Sequence, residues 1–181
     1  VYNCLMLSVA ADGSAIYPSS MLQPSSLYDT GLLAACGQDP VRKDVLEMLL
    51  RVCDREEVRV LPTIQLTAPL PRLTTSNDAG GKASYNLLDV RVQHELEAVV
   101  MEVTRRYSRH ASFTGIALQL DSRGYGMLGP LDVAMNDKVL AAFSADTGIE
   151  LPQETVAAAL AGGHRQAWIE WRVEQVTQFY A

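Results

Sequence analysis

In GIALQLDSRGYGMLG, residues 115–129, an apolar run ends on two side chains with polar chemistry: Gln119 and, two positions on, Asp121. Residues two apart on a strand share a face, so this pattern presents an amide and a carboxylate together. A second apolar run, VRVLPTIQL over 58–66, carries Gln65 at the matching place. The segment after the first apolar run adds Asp12, Tyr17 and Asp29, and the segment after Asp121 adds Arg123 and Tyr125. Glycoside hydrolysis uses two carboxyl groups flanking the sugar, one as acid and one as base or nucleophile. Sugar sites also favour ring faces with a polar rim, for which Tyr17, Tyr28, Tyr85 and Tyr125 are available. Asp121 is the candidate acid or base, with Asp12, Tyr17, Gln65, Gln119 and Tyr125 as candidate substrate-binding residues. The competing reading of Asp121 is a loop aspartate that bonds backbone amides after a strand.

The same stretch contains a literal G-x-G-x-x-G at Gly124, Gly126 and Gly129. A dinucleotide fingerprint needs its third glycine inside the start of a helix. Here Pro130, Leu131 and Asp132 follow, so a glycine-rich turn is the better reading. Asp78 to Ser84 (DAGGKAS) lacks the leading glycine of a P-loop and the Ser/Thr directly after Lys82. His94, His110 and His164 all fall away from the long loops, and neither G-x-S-x-G nor H-E-x-x-H occurs, so triad and zinc hydrolysis have no support. Cofactors are therefore not expected.

The elements that must position these residues alternate between strand and helix. Strands are expected at 3–9 (NCLMLSV, read as buried on both faces), 58–66 and 113–120. Helices are expected at 41–55, from 89 past Tyr107, at 136–147 and at 165–180. The first has Asp39 as N-cap, Pro40 at its first position, and an inward stripe of Val41, Val45, Met48, Leu49 and Val52. The second turns Val92, Leu96, Val99, Val100, Val103 and Tyr107 inward. The third is capped by Asn136 and stopped by Gly148. Trp168 and Trp171 on the last read as core rather than as a ligand platform. Such alternation implies βαβ units and an α/β fold with a parallel sheet.

Connections from helix to strand are short, whereas those from strand to helix run over 10–38, 67–88 and 121–135. Long loops in α/β units are usually functional. All three leave the C-terminal ends of strands, the edge at which ligands bind in open α/β sheets and in (β/α)8 barrels. Three strands make a poor domain alone, and the chain opens with Val1 almost directly in a strand. We read it as one domain that is an internal fragment, its remaining strands supplied by the parent chain.

Composition bounds the partners. The chain is 48% hydrophobic and 20% charged, as globular proteins are, with a net charge of −6. An acidic chain argues against nucleic acid and anionic membrane surfaces, and no run approaches a membrane span. The densest basic pair, Arg105-Arg106, falls at a helix end, where cations are expected. Cys4, Cys36 and Cys53 carry no metal spacing and read as buried thiols.

Several stretches together resemble glycosyl-hydrolase-like family 10, bacterial proteins with a (β/α)8 barrel. They are NCLMLSVAADGSAIYPSS, DVLEMLLRVCDREEVRVLPTIQL, YNLLDVRVQHELEAVVMEVTRRY, FTGIALQLDSRGYG, FSADTGIELP and WIEWRVEQVTQFY. The resemblance implies a partial (β/α)8 TIM barrel of about three consecutive βα units, a carbohydrate substrate, and a secreted or periplasmic location. Such barrels commonly end their fourth strand on a Glu or an acidic pair; here Gln119 and Asp121 stand there. The second carboxylate would come from a later strand, so residues 1–181 alone are expected to be inactive. The alternatives are a non-catalytic carbohydrate- or partner-binding barrel and, further off, a nucleotide-binding α/β module.

Overall fold

A computed structural model of the chain describes residues 3–11, 13–25, 43–65, 86–120, 128, 131, 135–152 and 156–181. The described residues form a mixed α/β protein with a five-stranded sheet and five helices. Two compact units divide them: 1–72 with 96–125, and 73–95 with 126–181.

The first unit holds the sheet. Its strands are β1 (Cys4–Ala11), β2 (Ser14–Ala15), β3 (Gln23–Pro24), β4 (Arg59–Gln65) and β5 (Ala117–Gln119), in the order β3-β2-β1-β4-β5. The three expected strands are present and parallel: Cys4 to Ser8 pair with Arg59 to Thr63, and Thr63 to Gln65 pair with Ala117 to Gln119. The sheet as a whole is mixed, however, because β2 folds back antiparallel on Ala10 and Ala11. Gly13, at φ 72, makes that reversal possible, and the Ser14 hydroxyl donates to the Ala11 carbonyl at 2.9 Å.

Pro62 sits in an inner strand, at a break in the ladder between β4 and β5. Between the bridge Val60–Phe113 and the pair Thr63–Ala117, the β5 side carries one residue more than β4. The residue that lacks an N–H falls in that interruption, where no ladder bond is lost. Gly115, at φ 140, belongs to the same irregular stretch.

Two expectations of burial are corrected. Cys4, Leu5 and Met6 in β1 are exposed, Met6 at 64%, and only Val9 and Ala10 are fully buried. The strand is thus not covered on both faces among the described residues, and Cys4 is an exposed thiol while Cys53 is a buried one. In helix α1 (Val45–Arg55) the buried residues are Leu46, Leu50 and Cys53, while Val45, Met48 and Val52 are exposed. This helix is apolar on two faces, so periodicity alone does not choose between them. It also begins later than expected. Asp44 has extended backbone and its carboxylate accepts from the Glu47 amide at 3.0 Å, which makes it the N-cap. Asp39, Pro40 and Val41 lie outside the described residues.

Helix α2 (Val90–Tyr107) spans both units and buries the face expected of it: Val92, Leu96, Val99, Val103 and Tyr107. The second unit then packs α3 (Asp137–Thr147), α4 (Val156–Ala161) and α5 (Arg165–Tyr180). Asn136 accepts from the Val139 amide, and Gly148, at φ 70, ends α3, both as the sequence indicates. The short α4 has no counterpart in the sequence reading. Val139, Phe143, Leu160, Trp168 and Trp171 form the core. Phe143 meets each indole edge-on, with ring centres 5.2 and 5.6 Å apart, and the indoles stack at 5.5 Å. Their N–H groups donate to the Leu131 carbonyl and the Asp146 carboxylate, so neither is stranded. The tryptophans are core, as expected.

Candidate functional site

The parallel strands β1, β4 and β5 end at one edge of the sheet, and two candidate residues meet there. Gln65 and Gln119 are register partners on β4 and β5. Partners on adjacent strands point to the same face, so the two amides stand side by side. Gln119 is exposed and Gln65 half-buried. By alternation they share their face with Leu61 and Thr63, and with Met6, the partner of Leu61. Val60 and Ile64 point the other way and are buried. Asp12, Asp121 and Tyr125 lie outside the described residues, as do Tyr28, Tyr85, Asp29 and Arg123.

Tyr17 is placed differently from a substrate platform. It is 2% exposed, packs edge-on against Tyr107 with ring centres 6.0 Å apart, and donates its hydroxyl to Glu102 at 3.3 Å. Burial, with the charge of Glu102 beside it, pushes its pKa far up. Glu102 is the hub of this contact. Its carboxylate also accepts from the Ser19 hydroxyl at 2.6 Å, the Ser20 amide at 2.7 Å and the Ser20 hydroxyl at 2.8 Å. Burial opposes its ionisation, yet these donors and Arg106 lower its pKa. The cluster ties the segment after β2 to α2.

A second polar cluster, which sequence reasoning missed, lies at the opposite edge, where β4 and β5 begin. His110 sits in the turn between α2 and β5. Its Nδ1 is 2.6 Å from Asp54 and its Nε2 2.9 Å from Glu47. Burial alone would favour a neutral ring, but the two carboxylates outweigh it and raise the pKa. When protonated, the ring donates from both nitrogens and bridges two acids that lie seven residues apart on α1. His110 in turn draws the pKa of Glu47 and that of Asp54 down to about 2; Arg51 and Arg109 add to the effect on Glu47, and Ser112 to that on Asp54.

Ser112, His110 and Asp54 resemble a triad by type but not by geometry. The Ser112 amide donates to Asp54 at 2.7 Å, and its hydroxyl donates to the Leu50 carbonyl at 3.2 Å. The hydroxyl therefore faces a carbonyl, and the imidazole has no nitrogen left to act as base. This is a staple between α1 and the start of β5. The i, i+7 spacing of Glu47 and Asp54 was visible in sequence; their meeting with His110 was not.

Among the described residues no group of three or more His, Cys, Asp or Glu side chains is arranged to hold a metal ion. No helix among them is long and apolar enough to cross a membrane. No family model, curated protein or solved structure matches the chain.

Proposed function

We propose that the chain contributes three consecutive βα units to a carbohydrate-active (β/α)8 barrel of the glycoside-hydrolase type, with the saccharide held where β1, β4 and β5 end. The observation that carries this reading is the register pairing of Gln65 with Gln119. Each amide is donor and acceptor at once, as each sugar hydroxyl is, and two of them on one face can engage neighbouring hydroxyls. The exposed Met6 on that same face also fits. In a closed barrel this face is the interior, filled by layers of side chains.

Asp121 follows Gln119 by two residues and supplies the carboxyl in this proposal. As general acid it protonates the glycosidic oxygen as the bond to the sugar breaks, and a second carboxylate must then activate water or attack the sugar carbon. In this proposal that second carboxylate comes from a later strand of the barrel. The chain of 181 residues should therefore bind saccharide without cleaving it.

Titration with a panel of oligosaccharides, followed by amide chemical shifts, tests the reading. Binding is expected to perturb Gln65 and Gln119, and Gln65→Ala or Gln119→Ala should weaken it by about tenfold, the loss of one to two hydrogen bonds. Binding indifferent to both substitutions would remove the edge from consideration. Cleavage of an aryl glycoside by the same chain would show that no second carboxylate is needed from elsewhere. A purely carbohydrate-binding barrel is favoured by the amide of Gln119, which stands where barrel hydrolases commonly carry an acid. Asp121→Ala separates the two in the assembled barrel. Turnover should fall at least about 10²-fold for a hydrolase, whereas binding alone should change within about tenfold.

A further inference from the structure

The sequence places the basic pair Arg105-Arg106 at the end of α2, where a helix C-terminus favours cations without any ligand. The fold adds two more arginines to it. Arg51 from α1 and Arg109 from the turn after α2 line the same recess as Arg105 and Arg106, a pocket of about 430 Å³ within the first unit. Its remaining walls are Asp44, Glu47 and Tyr107. Four guanidinium charges thus face two carboxylates, an excess of two positive charges in a chain whose net charge is −6.

The carboxylates are already engaged. Both oxygens of Asp44 accept from the Tyr107 hydroxyl, at 2.9 and 2.8 Å, and one also caps α1. Glu47 gives one oxygen to His110 and the other to both Arg51 Nε at 2.9 Å and Arg109 Nη2 at 2.8 Å. Each guanidinium has five N–H donors, so Arg51 and Arg109 keep most of theirs. Arg106 makes only a distant pair with Glu102 at 3.9 Å. Arg105 enters no hydrogen bond or ion pair among the described residues. A local reason exists for each arginine singly; none accounts for all four converging on one recess.

We propose that this pocket binds the phosphate group of a small phosphorylated molecule. Guanidinium forks match phosphate oxygens two at a time. A phosphomonoester carries about −1.5 to −2 at pH 7, which matches the excess charge of the lining. The volume falls within the range of small-molecule sites. A recess in an otherwise acidic chain suits a compact anion, whereas an extended polyanion would be repelled by the rest of the surface.

The test is calorimetric and NMR titration of the intact chain with inorganic phosphate and with phenyl phosphate, with sodium acetate as the parallel arm. A dissociation constant of about millimolar or tighter for the phosphates is expected, with acetate at least about tenfold weaker. Arg105→Ala and Arg51→Ala, both exposed side chains, should each weaken phosphate by about tenfold, and Arg105→Glu should abolish it. Circular dichroism should show these variants folded, and Arg165→Ala on α5, outside the pocket, should bind as the parent does. Binding unchanged in Arg105→Glu, or weakened equally by Arg165→Ala, would overturn the site. So would equal affinity for acetate, or no shift with either phosphate. Retention on phosphatidylglycerol vesicles without binding of free phosphate would transfer the pocket to a lipid headgroup and overturn the small-molecule assignment.

Discussion

The two compact units hold their helices in chemically different ways. In the second, Phe143, Trp168 and Trp171 pack ring against ring, and each indole N–H finds an acceptor. In the first, α1 is joined to the turn after α2 by His110, which stands between two carboxylates. Apolar packing keeps its strength whatever the pH, because its side chains carry no titrating group. The ionic staple holds only while the imidazole is protonated and both carboxylates are ionised. One chain therefore combines ring packing that is indifferent to pH with an ionic staple that is not.

The largest effect should come from the aromatic core. Trp168→Ala removes a fully buried indole and should cost about 3–5 kcal/mol, read by urea denaturation with near-ultraviolet circular dichroism. A cost below about 1 kcal/mol would mean that the ring cluster is not what holds this unit together.

The staple should come next. His110→Ala removes two charged hydrogen bonds and leaves Glu47 and Asp54 without their shared cation, at a cost of about 2 kcal/mol near pH 5.5. The sign of the pH dependence follows from the shifts. The pKa of His110 is raised in the fold, so its contribution is complete below the unfolded value of 6.5 and is lost as pH rises through the higher folded value. Glu47 and Asp54 have lowered values, so theirs is complete above the ordinary values of 4.5 and 3.8 and is lost as pH falls toward about 2. The difference in Tm between parent and variant should thus be widest between pH 4.5 and 6.5 and narrow on either side. A difference that fails to narrow both above and below this range would show that His110 is not charged in the fold.

The ends of two helices sharpen the contrast further. α3 ends on Gly148 at φ 70, whereas α1 is followed by Glu57 at φ 55. The space around Gly148 is open, so Gly148→Ala should cost only the conformational penalty, about 1–2 kcal/mol. Glu57→Gly should do the reverse and stabilise by up to about 1 kcal/mol. Thermal melts of both variants check the pair, and shifts of the same sign would break the symmetry.

What could be read in sequence was what local signals encode. Asn136 and Gly148 bracket α3 as expected because a cap and a left-handed stop act within one turn. Gln65 and Gln119 were matched by their positions at strand ends, and register makes them neighbours. The inward face of α1 was misread because Leu46, Leu50 and Cys53 have the same spacing as the outward stripe, and only the sheet decides between them. The hairpin at Gly13 was overlooked although Asp12-Gly13 is a short turn signal. Tyr17 suits a surface platform by type alone, but it is buried by Tyr107 and Glu102, about ninety residues away. The staple and the arginine pocket both join α1 to the end of α2 or the turn that follows it, across a separation that no local pattern spans.

The interruption at Pro62 has a mechanical meaning. β4 is bonded to β1 through six register pairs but to β5 through three, beyond a gap where the proline has no N–H to give. Pulled along the strands, such a sheet does not yield evenly. β5 would part from β4 first, starting from the short ladder, while β1 and β4 stay zipped as one plate. The edge that carries Gln119 is thus the part of the sheet that can shift under load without disturbing the pair of strands beside it.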